Sequence, residues 1–220
     1  MMLEQARNLC PKLYLITDNR GRPTVELVRI VERAIAGGVN AVQYREKSAS
    51  PVEVRTALTE LAKACRDGNV PLFLNADLLE AVGPDAPIDG IHWSKSTLPK
   101  YLASTHGLPS IYSAHSPGEI LEIQATARPM DNFTLSPIFD TSKGPGIMPG
   151  SGLEWLRHSC DELRPYAPIA LGGIDETNAA ACITAGAAGV AVIRAIMSAS
   201  NPQAAARALR QQVDGALETH

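Results

Sequence analysis

The feature that most constrains the fold is the alternation of short β-type runs with longer helical patterns along the 220 residues. Strands that alternate with helices imply parallel strands joined by helical crossovers. Eight such units in about 200 to 250 residues predict a closed (β/α)8 TIM barrel, which is an α/β fold. The predicted strands cover residues 12–17, 40–45, 71–75, 88–92, 110–113, 132–136, 168–171 and 189–193.

No linker interrupts these units, so we predict a single TIM-barrel domain over residues 1–220, with its core at residues 12–217. A doubly wound open sheet that binds a dinucleotide is the main alternative, and it requires a glycine-rich G-x-G-x-x-G turn after the first strand. The turn here reads Asp-Asn-Arg-Gly-Arg at residues 18–22, which disfavours that alternative.

Composition excludes several classes of protein. The formal net charge of -3 argues against a nucleic-acid-binding surface, which is usually basic. The longest apolar runs fall far short of the roughly 20 residues that span a bilayer. The first ten residues lack the apolar segment of a secretory signal, so we expect a cytoplasmic protein. The oligomeric state stays open, with a homo-oligomer as one option.

The four cysteines form no C-x-x-C motif, so we expect reduced thiols in a reducing compartment rather than a metal or redox centre. They stand at Cys10, Cys65, Cys160 and Cys182.

The C-terminal ends of barrel strands converge on one opening, here called the mouth, where the chemistry of TIM barrels takes place. The second strand ends Gln43-Tyr44-Arg45-Glu46-Lys47. Strand alternation places Gln43, Arg45 and Lys47 on one side. An amide and two cations suit a phosphate or diphosphate. The alternative is an ordinary solvated charged loop.

Histidines near two other strand ends are candidates for acid–base chemistry, because imidazole exchanges protons near neutral pH. His92 ends the fourth strand and is equally well explained as a hydrogen-bonded filler. His115 lies in a Ser-Ala-His-Ser turn after the fifth strand, where a catalytic role is favoured. Other polar residues at or beyond strand ends are Asn75, Ser113, Ser136 and Lys143, whereas His106, His158 and His220 are expected on the surface.

Glycines mark the ends of the last two units. Gly172 and Gly173 end the seventh strand, and residues 189–194 read G-V-A-V-I-R. The loops after these two strands are the recurrent phosphate site of TIM barrels, and glycine lets backbone N–H groups approach a ligand. We therefore expect Gly173→Val to weaken phosphate binding while sparing the fold. An ordinary turn is the alternative.

Taken together, the motifs resemble the thiamine-phosphate synthase and thiazole tautomerase (TenI) superfamily. They read Q-Y-R-E-K, L-N-A-D, D-G-I-H, S-A-H-S, L-S-P-I-F-D-T-S-K, A-L-G-G-I and G-V-A-V-I-R, in this order from Gln43 to Arg194. In the synthase branch, a hydroxymethylpyrimidine diphosphate loses diphosphate and the thiazole nitrogen captures the resulting cation.

The resemblance implies a role for each matching position. Gln43, Arg45, Lys47, Asn75 and Lys143 would contact the diphosphate, and Ser113 would contact the pyrimidine. Backbone at Gly172, Gly173, Val192 and Ile193 would hold the thiazole phosphate. His92, Ser136 and Arg194 complete the predicted substrate-binding residues, and Arg194 stands where synthases commonly have serine.

Two departures from the synthase pattern concern the metal. Ala76 and Thr97 stand where synthases have the two aspartates that bind Mg²⁺. Mg²⁺ sites usually combine carboxylates with substrate phosphates, and Lys95 adds an opposing charge. Asp77 and Asp89 are nearby but match neither position. We therefore predict no metal ligands and no cofactor, with Mg²⁺ required only by the synthase alternative.

Three hypotheses follow. Loss of the aspartates slightly favours a metal-free thiazole tautomerase, with His115 as the catalytic acid and base. The second hypothesis is a thiamine-phosphate synthase, which the intact Gln43, Arg45 and Lys47 set supports. The third is a non-catalytic barrel that binds thiazole or thiamine phosphate as a regulator.

Overall fold

Eight parallel strands close into a barrel in the computed structural model, which confirms the predicted TIM barrel. The structure describes residues 10–104, 107–143 and 146–219, and for Ser142 and Lys143 it describes only the backbone. In chain order, the strands of the described residues are β1 (Leu13–Ile16), β2 (Ala41–Tyr44), β3 (Leu72–Asn75), β4 (Gly90–Trp93), β5 (Ser110–Ala114), β6 (Asn132–Leu135), β7 (Thr141–Lys143), β8 (Gly146–Met148), β9 (Ile169–Leu171) and β10 (Gly189–Val192). Of these, β7 and β8 form a separate two-stranded sheet outside the barrel.

The strands β1 to β6 follow one another around the barrel, β9 lies beside β6, and β10 closes the barrel against β1. Helices on the outside connect the strands. They are α1 (Thr24–Ala36), α2 (Pro51–Asp67), α3 (Leu79–Val82), α4 (Leu98–Ala103), α5 (Pro117–Gln124), α6 (Gly152–Glu162), α7 (Ala179–Thr184), α8 (Arg194–Met197) and α9 (Pro202–Glu218). A short 3-10 turn covers Ala76–Leu78.

Local sequence signals explain two of the longest helices. At the start of α2, Ser50 accepts a hydrogen bond from the Glu53 backbone while the Glu53 carboxylate accepts one from the Ser50 backbone. This capping box satisfies two N–H groups that the helix cannot pair internally. Asn201 caps α9 through the Ala204 backbone, and Pro202 starts the helix, as the sequence predicts.

Side chains alternate between two buried layers. One face of the barrel strands packs against the helices, and the other fills the barrel interior. The interior apolar cluster consists of Tyr14, Ile16, Ala41, Phe73, Ile111, Ile169 and Ala191, with Leu171 and Ile193 packed against it. Period-two alternation therefore decides which polar residues reach the interior at the mouth.

The segment after β6, residues 136–152, is not a plain loop. It contains the antiparallel pair of β7 and β8, in which Thr141 lies opposite Met148. The loop also folds back on the barrel, because the Ile138 and Phe139 backbone N–H groups donate to the carbonyls of Leu171 and Gly172. These bonds fix the loop beside the end of β9.

At the N-terminal end of the barrel, three side chains form what we call the N-terminal clamps. Asn40, Asp89 and Asp131 each stand just before an even-numbered strand. Each accepts a hydrogen bond from the first backbone N–H of the preceding strand, at 2.7 to 2.9 Å. The donors are Leu13, Leu72 and Ser110. The clamps therefore tie β1, β3 and β5 to their neighbours.

Among the described helices, none combines the length and the apolar character needed to cross a bilayer.

Candidate functional site at the barrel mouth

Five polar side chains cross the barrel interior just below the mouth, in what we call the hydrogen-bonded row. Asn75 Nδ2 lies 3.4 Å from Gln43 Oε1, and Gln43 Nε2 lies 3.3 Å from the Tyr14 hydroxyl. The same hydroxyl lies 3.0 Å from His92 Nδ1. His92 Nε2 lies 2.7 Å from Ser113 Oγ. The row joins side chains of β3, β2, β1, β4 and β5. Four of its five members were predicted as site residues, and Tyr14 is the exception.

Burial holds the imidazole in this row neutral. His92 is 2% exposed, and desolvation lowers its pKa to about 3, with a further contribution from the charge of Arg45. Burial also raises the pKa of the Tyr14 hydroxyl, which therefore keeps its proton. A neutral histidine has one donor and one acceptor nitrogen, and both contact protein groups here.

The sequence did not identify Tyr14 as a site residue. Tyr14 stands two residues before Ile16 on β1, so both side chains face the barrel interior. The sequence also did not identify Thr134, which pairs in register with Ser113 on the neighbouring strand. The Thr134 hydroxyl is buried and makes no hydrogen bond to the described residues. Buried polar atoms nearly always have a partner, so Thr134 is a further candidate for ligand contact.

The polar set that follows β2 is less regular than predicted. Gln43 points into the barrel, but β2 ends at Tyr44, and the next residues no longer alternate as a strand. Arg45 is half-buried, and its backbone exchanges two hydrogen bonds with Thr17 Oγ1. Lys47 is exposed. Arg45 therefore stands near the hydrogen-bonded row, whereas Lys47 extends the positive charge toward solvent.

His115 lies at the rim of the mouth and is exposed. Its Nδ1 lies 2.8 Å from the Ser136 carbonyl oxygen. A carbonyl only accepts, so Nδ1 carries the hydrogen and Nε2 is unprotonated in the neutral ring. The Glu119 carboxylate accepts a 3.0 Å hydrogen bond from the His115 backbone and orients this turn. The arrangement offers Nε2 as a base.

The glycine pair after β9 lets the loop after β6 pack closely against it, which the sequence did not predict. Gly172 and Gly173 have φ angles of 105° and 65°. A Cβ atom at Gly172 would lie 2.8 Å from Pro137 Cα, and one at Gly173 would lie 2.6 Å from the Asp140 carbonyl oxygen. The prediction that Gly173→Val spares the fold is therefore wrong, because the substitution would push against the backbone of the 136–152 loop.

The carbonyls of both glycines are already used. Gly172 accepts from the Phe139 backbone, and Gly173 accepts from Asn178 Nδ2 at the start of α7. The neighbouring end of β10 places Val192 in the buried core and Ile193 against the interior cluster. Arg194 is exposed and donates to Thr141 Oγ1 at 3.3 Å. The predicted Lys143 side chain, His106 and His220 lie outside the described residues, and His158 is exposed.

The residues at the mouth do not fit a magnesium site. Ala76 is buried in the core, and the Thr97 hydroxyl accepts from the Ser94 backbone. Asp89 lies at the opposite end of the barrel as an N-terminal clamp, bound to Leu72. Across residues 10–104, 107–143 and 146–219, no cluster of three His, Cys, Asp or Glu side chains could hold a metal ion. Mg²⁺ is usually held by one or two carboxylates together with substrate phosphates, and Ala76 and Thr97 supply no carboxylate, so no catalytic step is assigned to it here.

The four cysteines are free thiols, as predicted. Cys10 is exposed, and the other three are buried away from the hydrogen-bonded row. Burial raises the pKa of the Cys65, Cys160 and Cys182 thiols to about 12, 11 and 12, so they stay protonated and unreactive.

Comparison with known proteins identifies the family of this chain. Residues 13–196 match the family described as thiamine monophosphate synthase (TMP-TENI). A thiamine-phosphate synthase of Chloroflexus aurantiacus is 37% identical over 211 residues, which cover 92% of each chain. One from Thermus thermophilus is 36% identical and covers 93% of this chain and 98% of its own.

Among solved structures, the thiamine phosphate pyrophosphorylase of Pyrococcus furiosus superimposes with a TM-score of 0.78 at 29% identity. The match covers 94% of this chain and 96% of the other. The family match spans the whole barrel, from β1 to α8, and includes the hydrogen-bonded row, the His115 turn and the glycine pair. The chain therefore belongs to the thiamine monophosphate synthase family of enzymes.

Proposed function

We propose that this enzyme is a thiamine-phosphate synthase, which joins hydroxymethylpyrimidine diphosphate to thiazole phosphate. The observation that carries the proposal is the hydrogen-bonded row from Asn75 to Ser113. It provides polar groups on the β2–β5 side of the mouth, opposite the glycine side. An enzyme for two substrates needs both sides, whereas a tautomerase binds one small thiazole. The names of the relatives also support the synthase over the tautomerase.

In this proposal the two sides bind different substrates. Arg45, Lys47, Asn75 and Lys143 contact the diphosphate, and Ser113 contacts the pyrimidine ring. Gln43 lies behind Asn75 and accepts its hydrogen bond. Backbone N–H groups at Gly172, Gly173, Val192 and Ile193 hold the thiazole phosphate, with Ser136 and Arg194 at the edge. His92 supports Ser113 from behind, because both of its nitrogens already contact protein groups.

Positive charge on the β2 side has a direct chemical use. When the carbon–oxygen bond of the pyrimidine diphosphate breaks, its electron pair leaves with the diphosphate and a carbocation remains. The thiazole nitrogen then donates its lone pair to form the new carbon–nitrogen bond. Arg45 and Lys47 are placed to stabilise the charge on the departing diphosphate, since guanidinium and ammonium groups bind phosphate oxygens strongly.

Thiazole tautomerisation is the second candidate, and two observations favour it. The structure offers His115 Nε2 as a base at the rim. The positions of the two synthase aspartates are held by Ala76 and Thr97, neither of which supplies a carboxylate. A tautomerase moves one proton between two positions of a thiazole phosphate carboxylate and needs no metal.

One assay separates these functions. Purified enzyme receives both synthase substrates, or the thiazole phosphate carboxylate alone, with Mg²⁺ or with EDTA. We expect thiamine phosphate from the first pair. Unlike the Mg²⁺-dependent synthases that the sequence resembles, this enzyme should keep its activity in EDTA, because Ala76 and Thr97 supply no carboxylate. Tautomer conversion without coupling would favour the tautomerase. Binding without turnover of either substrate would favour a regulator.

Strict dependence of coupling on Mg²⁺ would support the synthase and contradict the metal prediction. Ala76→Asp is not a useful control, because residue 76 is buried in the core. Lys95→Ala is better suited, since Lys95 is 80% exposed and pairs with Glu119 at 3.7 Å. Because the described residues offer no metal cluster, we expect this variant to respond to Mg²⁺ and to EDTA as the wild type does.

A further inference from the structure

The direction of every hydrogen bond in the row can be traced from one backbone group. The Asp77 backbone N–H lies 3.1 Å from Asn75 Oδ1. A backbone N–H only donates, so this end of the Asn75 amide must be its oxygen. The Nδ2 end therefore faces Gln43 and donates to Gln43 Oε1. The orientation of the first amide thus fixes that of the second.

The same reasoning continues to the tyrosine. With Oε1 of Gln43 turned toward Asn75, its Nε2 faces the Tyr14 oxygen and donates to it. The Tyr14 hydroxyl hydrogen is then available for its other neighbour, His92 Nδ1. Tyr14 keeps this proton because burial raises its pKa. Nδ1 of His92 is therefore the acceptor nitrogen.

Neutral imidazole with Nδ1 as acceptor carries its hydrogen on Nε2. This hydrogen points to Ser113 Oγ, 2.7 Å away. Ser113 thus receives a hydrogen bond from behind, and its own hydroxyl hydrogen is directed elsewhere. Ser113 is half-buried at the mouth, whereas Tyr14, Gln43 and His92 are at most 2% exposed. Water cannot readily enter to reverse the row.

We propose that Tyr14 is a positioning residue that sets the tautomer of His92 and thereby makes Ser113 a hydrogen-bond donor to the ligand. The ligand atom that meets Ser113 is then an acceptor. This rests on the proposed function, in which the ligand is a pyrimidine, and it assigns a ring nitrogen to Ser113. A histidine with the opposite tautomer would make Ser113 an acceptor and select a donor group instead.

The tautomer can be measured without any substrate. Nitrogen-15 NMR of histidine-labelled enzyme distinguishes protonated from unprotonated ring nitrogens, and His92 is assigned by the signal missing in His92→Asn. We expect Nδ1 unprotonated and Nε2 protonated in the wild type. Tyr14→Phe keeps the ring that lies edge-on to Phe73 and stacks on His92, but it removes the hydroxyl. We expect it to give a mixture of tautomers.

Tyr112→Phe is the matched control. Tyr112 stands beside Ser113 on β5 but packs on the outer face, away from the row. It should leave the His92 signals unchanged. A wild-type His92 protonated on Nδ1, or a Tyr14→Phe spectrum identical to the wild type, would overturn the positioning role whatever reaction the enzyme catalyses.

Binding tests the consequence for specificity. Calorimetry with hydroxymethylpyrimidine diphosphate should show affinity reduced about 2- to 10-fold in Tyr14→Phe and in Ser113→Ala, the range expected for one hydrogen bond. The double variant should be no weaker than Ser113→Ala, because Tyr14 acts through Ser113. Additive losses would overturn this coupling.

Pyridine analogues, in which one ring nitrogen is replaced by CH, identify the acceptor. One analogue should bind the wild type more weakly than the parent, but should match the parent in Ser113→Ala. Equal discrimination by both proteins would overturn the donor role of Ser113. If the parent compound binds no better than inorganic diphosphate, the pyrimidine assignment and the proposed function fail together, while the NMR result still decides the role of Tyr14.

Discussion

The two ends of the barrel use similar polar residues for different purposes. At the N-terminal end, Asn40, Asp89 and Asp131 each bind one backbone N–H of a neighbouring strand. Their partners are fixed parts of the fold, so these residues hold strands together. Asp89 illustrates this difference, because its sequence position beside His92 makes it look like a site residue.

At the mouth, polar side chains contact one another instead of the strand backbones. The hydrogen-bonded row runs through five side chains and ends at the half-buried Ser113 hydroxyl. Such a row links side chains of five strands and fixes the direction of a hydroxyl at the opening. In this barrel the clamps at the strand starts bind backbone groups of the fold, whereas the row at the strand ends leads to a half-buried hydroxyl.

We expect the largest effect from lowering the pH, which should reduce stability through His92 in the hydrogen-bonded row. Burial holds the pKa of His92 at about 3, below the value of about 6.5 in an unfolded chain. Above pH 6.5, His92 is neutral in both the folded and the unfolded state. Below it, only the unfolded state binds this proton, so stability falls as the pH drops toward 3. The expected slope approaches about 1.4 kcal/mol per pH unit.

Urea unfolding between pH 7 and 4 checks this prediction, and His92→Asn should remove that part of the slope. His158→Asn is the control, because His158 is exposed on α6 and is not part of the hydrogen-bonded row. Equal slopes in His92→Asn and in the wild type would show that His92 is not buried as a neutral group.

The next effect concerns His115, at the rim. His115→Asn should lower any tautomerisation kcat at least about 100-fold, the lower end for general acid–base catalysis. Affinity for thiazole phosphate should change little, because the phosphate lies at β9 and β10 in our proposal. Stopped assays with calorimetry measure both quantities. A fully active variant would exclude His115 from the mechanism.

A smaller effect should distinguish the N-terminal clamps from the hydrogen-bonded row at the mouth. Asp89→Ala leaves the Leu72 backbone N–H without its acceptor and should reduce the free energy of unfolding by about 1–3 kcal/mol, with kcat unchanged. Asp89→Asn retains an acceptor oxygen and is the control. Asn75→Ala should instead reduce substrate affinity more than stability. Denaturant titrations and steady-state kinetics of the three variants test this contrast. A lower kcat in Asp89→Ala would contradict it.

The smallest effect is expected from magnesium. A ligand that binds only the folded state raises Tm with its concentration. Because the described residues offer no metal cluster, millimolar Mg²⁺ should leave the Tm of the free enzyme unchanged. Thermal scans with Mg²⁺ and with diphosphate alone make the comparison. A saturable rise with Mg²⁺ would reveal ligands at other positions.

The sequence predicted much of this protein. The eight strand–helix units predicted the barrel. The predicted strand ends placed Asn75, His92 and Ser113 at its C-terminal end, and period-two alternation placed Gln43 on the side that faces a ligand; the structure joins the four in one row. Both kinds of pattern depend on neighbours in the chain, so they can be recognised without knowing the fold. The strand pair after β6 was not predicted, because β7 and β8 are short and lack a strong alternating pattern.

Contacts between distant strands were decided only by the tertiary structure. Tyr14 meets His92 across 78 residues, and Gly173 meets Asp140 through a folded-back loop. Asp89 binds Leu72 at one end, while His92, three residues later, joins the row toward the other. A strand rises about 3.3 Å per residue, so a few positions separate the stabilising end from the reactive one. Closure of the barrel determines which side chains meet, because it brings β1 beside both β2 and β10.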